Sequence, residues 1–162
     1  SPGELRYRPE LGGGALMDLG TYCLHWCRTV AGAEPKVTRA DCLLGETGVD
    51  IWTRATLTFP SGVVADICCD MTAVFKAELT IEGAKGTLKV INPLAPQLGH
   101  RIEVEGGTPR RETVTRDPTY DFQLRAFVDA VRGGPAPPTA GADSIAQMRL
   151  LDAVARASRA KA

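Results

Sequence analysis

Three polar side chains within a short stretch of the chain could together carry acid–base chemistry. Asp18 and Tyr22 are four residues apart, so on an α-helix their side chains would be neighbours on one face. A carboxylate beside a phenol could orient it, and a tyrosine hydroxyl can exchange a proton with a substrate hydroxyl during hydride transfer. His25 lies about one turn further along the same polar arc. The residues alone leave open that Asp18 and Tyr22 simply form a solvated helix face and that His25 is an exposed histidine.

A glycine run precedes this stretch, and it does not match the dinucleotide-binding fingerprint. That fingerprint requires G-x-G-x-x-G between a strand and a helix, whereas Met17 stands three residues after Gly14. Gly12-Gly13-Gly14 predicts either a turn that only glycine can adopt or a turn that closely approaches a ligand. No P-loop occurs either, so we expect no dinucleotide-binding fold within this chain.

Two further side chains could contact a ligand through their polar tips. Arg8 could hold an anionic or hydroxylated ligand, with a surface arginine as the alternative. Tyr120 begins a predicted helix, where such a residue is usually a half-buried anchor. His25 and His100 are the two histidines, and neither accompanies a Ser or Cys nucleophile motif, which argues against a self-contained hydrolase.

The cysteines predict neither a disulfide framework nor a metal site. Their number is five, which is odd, and two of them are adjacent. Cys23 and Cys27 fall on the helix arc opposite His25, so Cys-x-His-x-Cys cannot converge on one zinc ion. We therefore expect no bound metal and reduced thiols in a cytoplasmic protein.

The elements that must position these residues form three successive regions. Residues 15–30 predict an amphipathic helix with Arg28 on its polar side and Val30 on its apolar side. Residues 36–116 alternate apolar and polar side chains between short turns, a pattern typical of antiparallel strands, and Asp50 alternates with the apolar set. The last region predicts two helices, the first with Asp117 as N-cap and Pro118 as its first residue. Ser144-x-x-Gln147 resembles a capping box for the second.

This order of elements predicts an α+β fold with an open-faced, mainly antiparallel sheet and helices packed on one face. The other sheet face is more polar and must meet solvent or another chain, so a homodimer is a reasonable expectation. The formal net charge is zero, with 19 basic and 19 acidic residues, which predicts no nucleic-acid partner. No run of about 18 apolar residues predicts a membrane span. The chain begins with Ser1-Pro2, and we therefore interpret it as part of a longer protein.

The string LGGGALMDLGTYCLHWCR, residues 11–28, carries a family resemblance. It resembles the C-terminal domain of the glucose-fructose oxidoreductase, inositol dehydrogenase and rhizopine-catabolism family. It looks most similar to the branch of dimeric dihydrodiol dehydrogenases and NADP-dependent D-xylose dehydrogenases. Residues 57–62, 83–88, 120–133 and 143–158 follow in the order expected of that domain, so the resemblance covers nearly the whole chain.

The resemblance implies a two-domain oxidoreductase of which residues 1–162 form the C-terminal substrate-binding and dimerisation domain. NAD or NADP would be bound mainly by an N-terminal Rossmann domain, which also carries a catalytic lysine in an E-K-P segment. Neither feature occurs in this chain, so we expect it to be inactive alone. The expected reaction oxidises a secondary alcohol of a sugar, polyol or diol, and the alternative is a non-catalytic oligomerisation or ligand-binding module.

The resemblance also implies roles for individual residues. Tyr22 would be the acid/base, assisted by the lysine of the other domain, and Asp18 would orient the substrate or that lysine. Tyr120 would lie near the nicotinamide. We further assign four residues to the substrate: Arg8, Gly13, Gly14 and His25.

Overall fold

The computed structural model describes residues 4–106, 110–112 and 115–160, which divide into two compact units. The first unit contains the described residues up to 73 and from 139, and the second contains those between 74 and 138. Each unit combines helix with antiparallel strands. The predicted α+β class is therefore confirmed, although the strands form two hydrogen-bonded sheets, a division that alternation along single strands does not reveal.

The helices and strands follow one another in the order that the sequence predicts. A π-helical turn, Leu16–Gly20, leads directly into the first α-helix. The sheet of the first unit has the strand order β1-β2-β3 and that of the second unit β4-β5-β6-β7. The bounds are α1 Thr21–Ala31, β1 Lys36–Leu44, β2 Asp50–Thr58, β3 Val64–Asp70, β4 Glu78–Gly83, β5 Gly86–Ile91, β6 Arg101–Glu105, β7 Arg110–Glu112, α2 Thr119–Val131 and α3 Ala142–Arg159.

The core of the first unit lies between one face of its sheet and the helices α1 and α3. Alternate residues of β2, such as Ala55 and Leu57, point inward and are buried. Leu24 of α1 and Val154 of α3 are fully buried against them. Burial contributes about 1.5–3 kcal/mol for each large apolar side chain. This packing places both helices on one face of the sheet, as the sequence predicts.

The opposite face of this sheet is polar and mixed in charge. Arg54 lies beside Asp41 on one neighbouring strand and Cys68 on the other. The Arg39 Nε and Asp41 Oδ2 atoms are 2.8 Å apart. The prediction of one more polar sheet face is thus confirmed for the first unit.

The second unit contains a four-stranded sheet and α2. The described part of β7 ends at Glu112, and residues 113–114 of the predicted strand region 36–116 lie outside the described residues. The helix α2 begins at Thr119 with Pro118 as its N-cap residue, and its N-cap makes no side-chain hydrogen bond. The prediction that Asp117 caps this helix was therefore wrong by one residue.

Three polar residues, Asp50, Arg28 and Gln147, are buried where the sequence predicted exposure or capping. Asp50 is 8% exposed, because a β-bulge between Leu43 and Leu44 interrupts the alternation at the start of β2. Arg28, expected on the polar side of the first helix, is also buried, whereas Val30 is half exposed. Ser144 lies inside α3 and donates to Thr139 O, so it does not form a capping box.

None of the helices in the described part of the chain is both long and apolar enough to cross a membrane.

Candidate functional site

The helical segment that carries Asp18 and Tyr22 begins with the π-turn Leu16–Gly20. A π-turn closes its hydrogen bonds one residue later than an α-helix and occurs frequently at functional sites. The Asp50 carboxylate lies at its start, where Oδ2 accepts from Leu16 N at 2.7 Å and from Thr53 Oγ1 at 2.8 Å. A buried carboxylate therefore satisfies an N–H at the first turn of this segment, in the position where a helix favours negative charge.

The glycine run joins this first turn to the preceding segment of the chain. Gly13 N donates to Arg8 O at 3.0 Å, and Gly14 N donates to Arg6 O at 2.9 Å. A Cβ at Gly13 would lie 2.5 Å from Arg6 O, and one at Gly14 would collide with the Asp50 carboxylate. Contacts within the chain thus already require glycine at 13 and 14, and the assignment of both residues to the substrate stays a prediction.

Asp18 projects from the π-turn towards the segment before the glycine run. Its backbone N donates to Gly14 O at 3.0 Å, and its Oδ2 lies 3.5 Å from Arg6 Nη1. Its side chain is 36% exposed. Arg6 also pairs with Glu4, and these carboxylates, Glu4 more than Asp18, raise the pKa of the guanidinium above its usual value. Sequence analysis missed Arg6, because nothing in its spacing marks it as a partner of Asp18.

Tyr22 is the second residue of α1, and 44% of its side chain is exposed. No hydrogen bond among the described residues joins its hydroxyl to the Asp18 carboxylate, which faces Arg6. The π-turn alters the angular spacing that a continuous α-helix would give these two residues. The pair nevertheless presents one carboxylate and one phenol on the same accessible helical segment.

The other predicted site residues are placed differently. His25 is half buried on α1, where its Nε2 lies 3.5 Å from Thr29 Oγ1. The Arg8 side chain is exposed and pairs with Glu10 at 2.7 Å, while its carbonyl anchors the glycine run. Tyr120 belongs to the second unit, on α2, and is 75% exposed. The structure connects Arg8, Gly13, Gly14 and Asp18 through hydrogen bonds, whereas Tyr120 stays a separate prediction.

A buried polar network holds α1 against α3. The Arg28 side chain is 7% exposed, and its Nε donates to Glu34 Oε2 at 2.9 Å. Its Nη2 donates to Asp143 Oδ1 at 2.8 Å and its Nη1 to Gln147 Oε1 at 3.0 Å. Hydrogen bonding to Glu34, and then to Asp143, raises the pKa of this guanidinium. Every partner lies outside α1, which explains why helical periodicity did not predict the network.

The thiols near this segment are poor candidates for nucleophiles. Burial raises the pKa of Cys27 to about 11 and that of Cys69 to about 12, and it also raises the pKa of Cys23. All five cysteines are free, and Cys68 is exposed whereas its neighbour Cys69 is buried. Among residues 4–106, 110–112 and 115–160, no group of three His, Cys, Asp or Glu side chains is arranged to hold a metal ion. The Asp18 carboxylate and the Tyr22 hydroxyl therefore stay the predicted reactive groups of the site.

A surface depression of the first unit lies away from these groups. Its volume is about 790 Å³, and residues of β1 and α3 line it, among them Lys36, Arg149 and Arg156. The helical segment with Asp18 and Tyr22 remains the candidate functional site, because a domain that supplies one wall of an active site need not enclose a cavity by itself.

Curated relatives share sequence along most of the chain. A dTDP-3,4-didehydro-2,6-dideoxy-alpha-D-glucose 3-reductase from Streptomyces antibioticus is 32% identical over 167 aligned positions, covering 98% of this chain and 50% of the relative. A trans-1,2-dihydrobenzene-1,2-diol dehydrogenase from Sus scrofa is 34% identical over 82 positions, covering 50% of this chain and 24% of the relative. The chain therefore spans about half the length of the curated relatives that match it from end to end.

Solved structures share the fold, and a family model matches the sequence. An aldose-aldose oxidoreductase from Caulobacter crescentus, solved with glycerol, superposes with a TM-score of 0.87 at 26% identity, over 100% of this chain and 50% of that one. A 3-ketoreductase from Actinomadura kijaniata, solved with NADP and TDP-benzene, gives 0.85 at 26% identity, over 96% and 49%. The model of the GFO/IDH/MocA C-terminal domain matches residues 1–89. The resemblance seen in the glycine run and the first helix is therefore confirmed, and the chain belongs to the GFO/IDH/MocA C-terminal domain family.

Proposed function

We propose that this chain is the substrate-side domain of an NAD(P)-dependent oxidoreductase that interconverts a secondary alcohol and a carbonyl in a sugar, polyol or diol. The observation that carries the proposal is the accessible helical segment with Asp18 and Tyr22, anchored through its glycine run in a chain of this family. The relatives that support it include a sugar-nucleotide reductase and a diol dehydrogenase. Because such reactions are reversible, a single proton-transfer group can serve both a reductase and a dehydrogenase.

Tyr22 acts in this proposal on the hydroxyl of the substrate. A nicotinamide held mainly by the N-terminal domain would supply the acceptor for the hydride of the carbinol C–H bond. The Tyr22 oxygen relays the hydroxyl proton as the O–H bond breaks and the carbonyl forms, and it returns a proton in the reverse direction. The Tyr22 side chain is partly exposed in the described structure, which supports this role.

The other site residues orient the substrate. The Asp18 carboxylate accepts a hydrogen bond from a substrate hydroxyl or from a cationic group of the partner domain, and Arg6 holds it in place. Arg8, Gly13, Gly14 and His25 are assigned to the substrate side. Gly14 O accepts from Asp18 N, Gly13 N donates to Arg8 O, and His25 follows Tyr22 on α1. Tyr120 is assigned to the cofactor on the family resemblance alone.

Cofactor-dependent hydride transfer by the full-length protein tests this proposal. We expect purified full-length protein to reduce NAD or NADP with at least one member of a panel of aldoses, inositols and dihydrodiols, measured by the absorbance of the reduced nicotinamide. The isolated chain of 162 residues serves as the control and should show no turnover. If the full-length protein binds such ligands but never transfers hydride, the alternative of a non-catalytic ligand-binding module is correct.

We also propose that the polar face of the β1-β2-β3 sheet pairs with the same face of a second copy. Acidic and basic side chains alternate on it, and Leu43, Trp52 and Val64 supply apolar contact area. Arg39 and Arg54 can meet Asp41 and Asp66 of a second copy, because a two-fold interface brings the same patch to itself. For the cellular compartment, we propose the cytoplasm.

Substitution on this face should weaken the dimer. We expect Val64→Lys to raise the dimer dissociation constant by about tenfold or more, since a lysine would be placed in a desolvated contact. The matched control is Val30→Lys, at an exposed valine on α1, on the other side of the sheet. Sedimentation velocity over a concentration series measures both, and a wild-type protein that stays monomeric at all concentrations would contradict the proposal.

A further inference from the structure

The segment with Asp18 and Tyr22 is held at both ends by buried polar side chains from distant parts of the chain. Asp50, the first residue of β2, accepts from Leu16 N where the segment begins. Gln147 of α3 lies at the other end, where its Nε2 donates to Thr21 O at 2.8 Å and lies 3.3 Å from Thr21 Oγ1. Thr21 immediately precedes Tyr22. The backbone from the start of the π-turn to Tyr22 is therefore fixed against both β2 and α3.

The orientation of the Gln147 amide is determined by Arg28. A guanidinium can only donate hydrogen bonds, so the atom of Gln147 that faces Arg28 Nη1 must be the oxygen. The amide nitrogen then points to Thr21, as the 2.8 Å distance to its carbonyl oxygen requires. Glu34 and Asp143 in turn hold Arg28. Gln147 is buried, and its hydrogen bonds to Arg28 and Thr21 use both ends of its amide.

The junction between the π-turn and α1 is where such a contact has the greatest effect on Tyr22. A single π-turn inserts one residue into a helix, and a shift of the junction would rotate every following side chain about the helix axis. The carbonyl of Thr21 marks that junction, since α1 begins at this residue. A donor from another helix on this carbonyl therefore fixes the rotation at which the Tyr22 hydroxyl is presented.

We propose that Gln147 is a positioning residue for the reaction, acting through its hydrogen bond to Thr21 O and hence through the orientation of Tyr22. This inference rests on the proposed function of Tyr22. It extends that function to a residue of α3 that has no hydrogen bond to Tyr22 in the described structure and lies 125 positions later in the chain.

Two substitutions in the full-length protein separate this role from simple stabilisation. Gln147→Met removes both hydrogen bonds at similar length, whereas Gln147→Glu keeps an acceptor for Arg28 but has no donor for Thr21 O. Ser158→Ala is the matched control, because Ser158 is also a buried polar residue of α3 but bonds only to Ala155 O of its own helix. Both Gln147 variants should lower kcat by about 10–100-fold with KM nearly unchanged, and the control should match wild type.

A double-mutant cycle with Tyr22→Phe tests whether the effect passes through Tyr22. If it does, Gln147→Glu in the Tyr22→Phe background lowers kcat by less than about twofold. The positioning role is wrong if the fold-losses in kcat of Gln147→Glu and Tyr22→Phe multiply in the double variant. It is also wrong if Gln147→Glu has wild-type kcat whereas Gln147→Met does not. Both results would leave the proposed function intact. If Tyr22→Phe alone leaves turnover unchanged, the proposed function and this inference both fail.

Backbone hydrogen exchange supplies a readout that is independent of activity. Mass spectrometry of the two Gln147 variants should show faster exchange over residues 16–24 than in Ser158→Ala, with the sheet of the first unit unchanged. If Gln147→Met does not fold, Gln147→Glu still provides this comparison because it preserves the ion-pair network around Arg28. Unchanged protection over residues 16–24 in the folded variants would overturn the inference.

Discussion

Replacing Tyr22 by phenylalanine is expected to lower the turnover of the full-length protein by roughly 10²-fold or more, the size typical of lost general acid–base catalysis. The substitution removes one oxygen atom from a side chain that is 44% exposed, so packing and folding should be preserved. In the proposed mechanism, the hydroxyl that is lost relays the proton of the substrate hydroxyl. KM should change little, because the remaining contacts to the substrate are retained.

The measurement is steady-state turnover in both directions, since one proton-transfer group serves oxidation and reduction. Tyr7→Phe is a suitable control, because Tyr7 lies in the same unit, on a short helical turn before the glycine run, and has no assigned role. Turnover by Tyr22→Phe equal to that of wild type and Tyr7→Phe would remove Tyr22 from the mechanism. The loss should also persist at saturating substrate, which distinguishes it from weakened binding.

Local sequence patterns were sufficient where neighbouring residues determine the structure. The alternation along β2 correctly predicted that Ala55 and Leu57 face the core while Arg54 faces outward. The turn residues between β2 and β3 correctly predicted an antiparallel pair. Family resemblance extended these local inferences to the correct domain, because its motif spans both the glycine run and the first helix.

The same patterns failed for polar residues whose partners are distant in the chain. Arg28 was placed on the solvated side of its helix, and Gln147 was interpreted as a capping residue. Their hydrogen bond joins positions 119 residues apart, and that between Gln147 and Thr21 joins positions 126 apart. A helical wheel contains no information about such partners, and a buried polar side chain is stable only when they are present. The position of the candidate catalytic segment depends on these contacts, so sequence analysis found its residues but not what holds them.

The π-turn is a second feature that periodicity could not reveal. The spacing between Asp18 and Tyr22 was interpreted on a continuous α-helix, whereas Leu16–Gly20 adopts the wider turn. A Cβ at Gly20 would lie 2.8 Å from Leu16 Cδ1 and 3.1 Å from Cys69 Sγ, so this turn packs tightly against β3. Such packing depends on the tertiary structure, so the sequence of the turn does not predict it.

Gly14→Ala should be among the most destabilising single substitutions in the first unit. Its added methyl group would collide with the Asp50 carboxylate, and the residue has a backbone φ of +128°, which side-chain-bearing residues rarely adopt. Strain at such a position and overpacking each cost about 1–3 kcal/mol, so we expect a loss of about 2–6 kcal/mol in the free energy of unfolding. That is a large fraction of the about 5–15 kcal/mol by which domains are stable.

Gly12→Ala is the comparison variant, because it adds a methyl group at a positive φ without a contact to Asp50. Gly12 also has a positive φ, +74°, but a Cβ there would meet nothing within 4 Å. Its substitution should cost only the backbone term of about 1–2 kcal/mol. Denaturant unfolding followed by the fluorescence of Trp26 and Trp52, both in the first unit, measures the two variants side by side. Equal losses would mean that Asp50 moves aside freely. A loss for Gly14→Ala that exceeds that for Gly12→Ala by about 2 kcal/mol or more, beyond the difference in backbone strain between the two positions, would show that the Asp50 carboxylate resists displacement from Leu16 N. The glycine run would then serve the helical segment carrying Asp18 and Tyr22 through the fold itself.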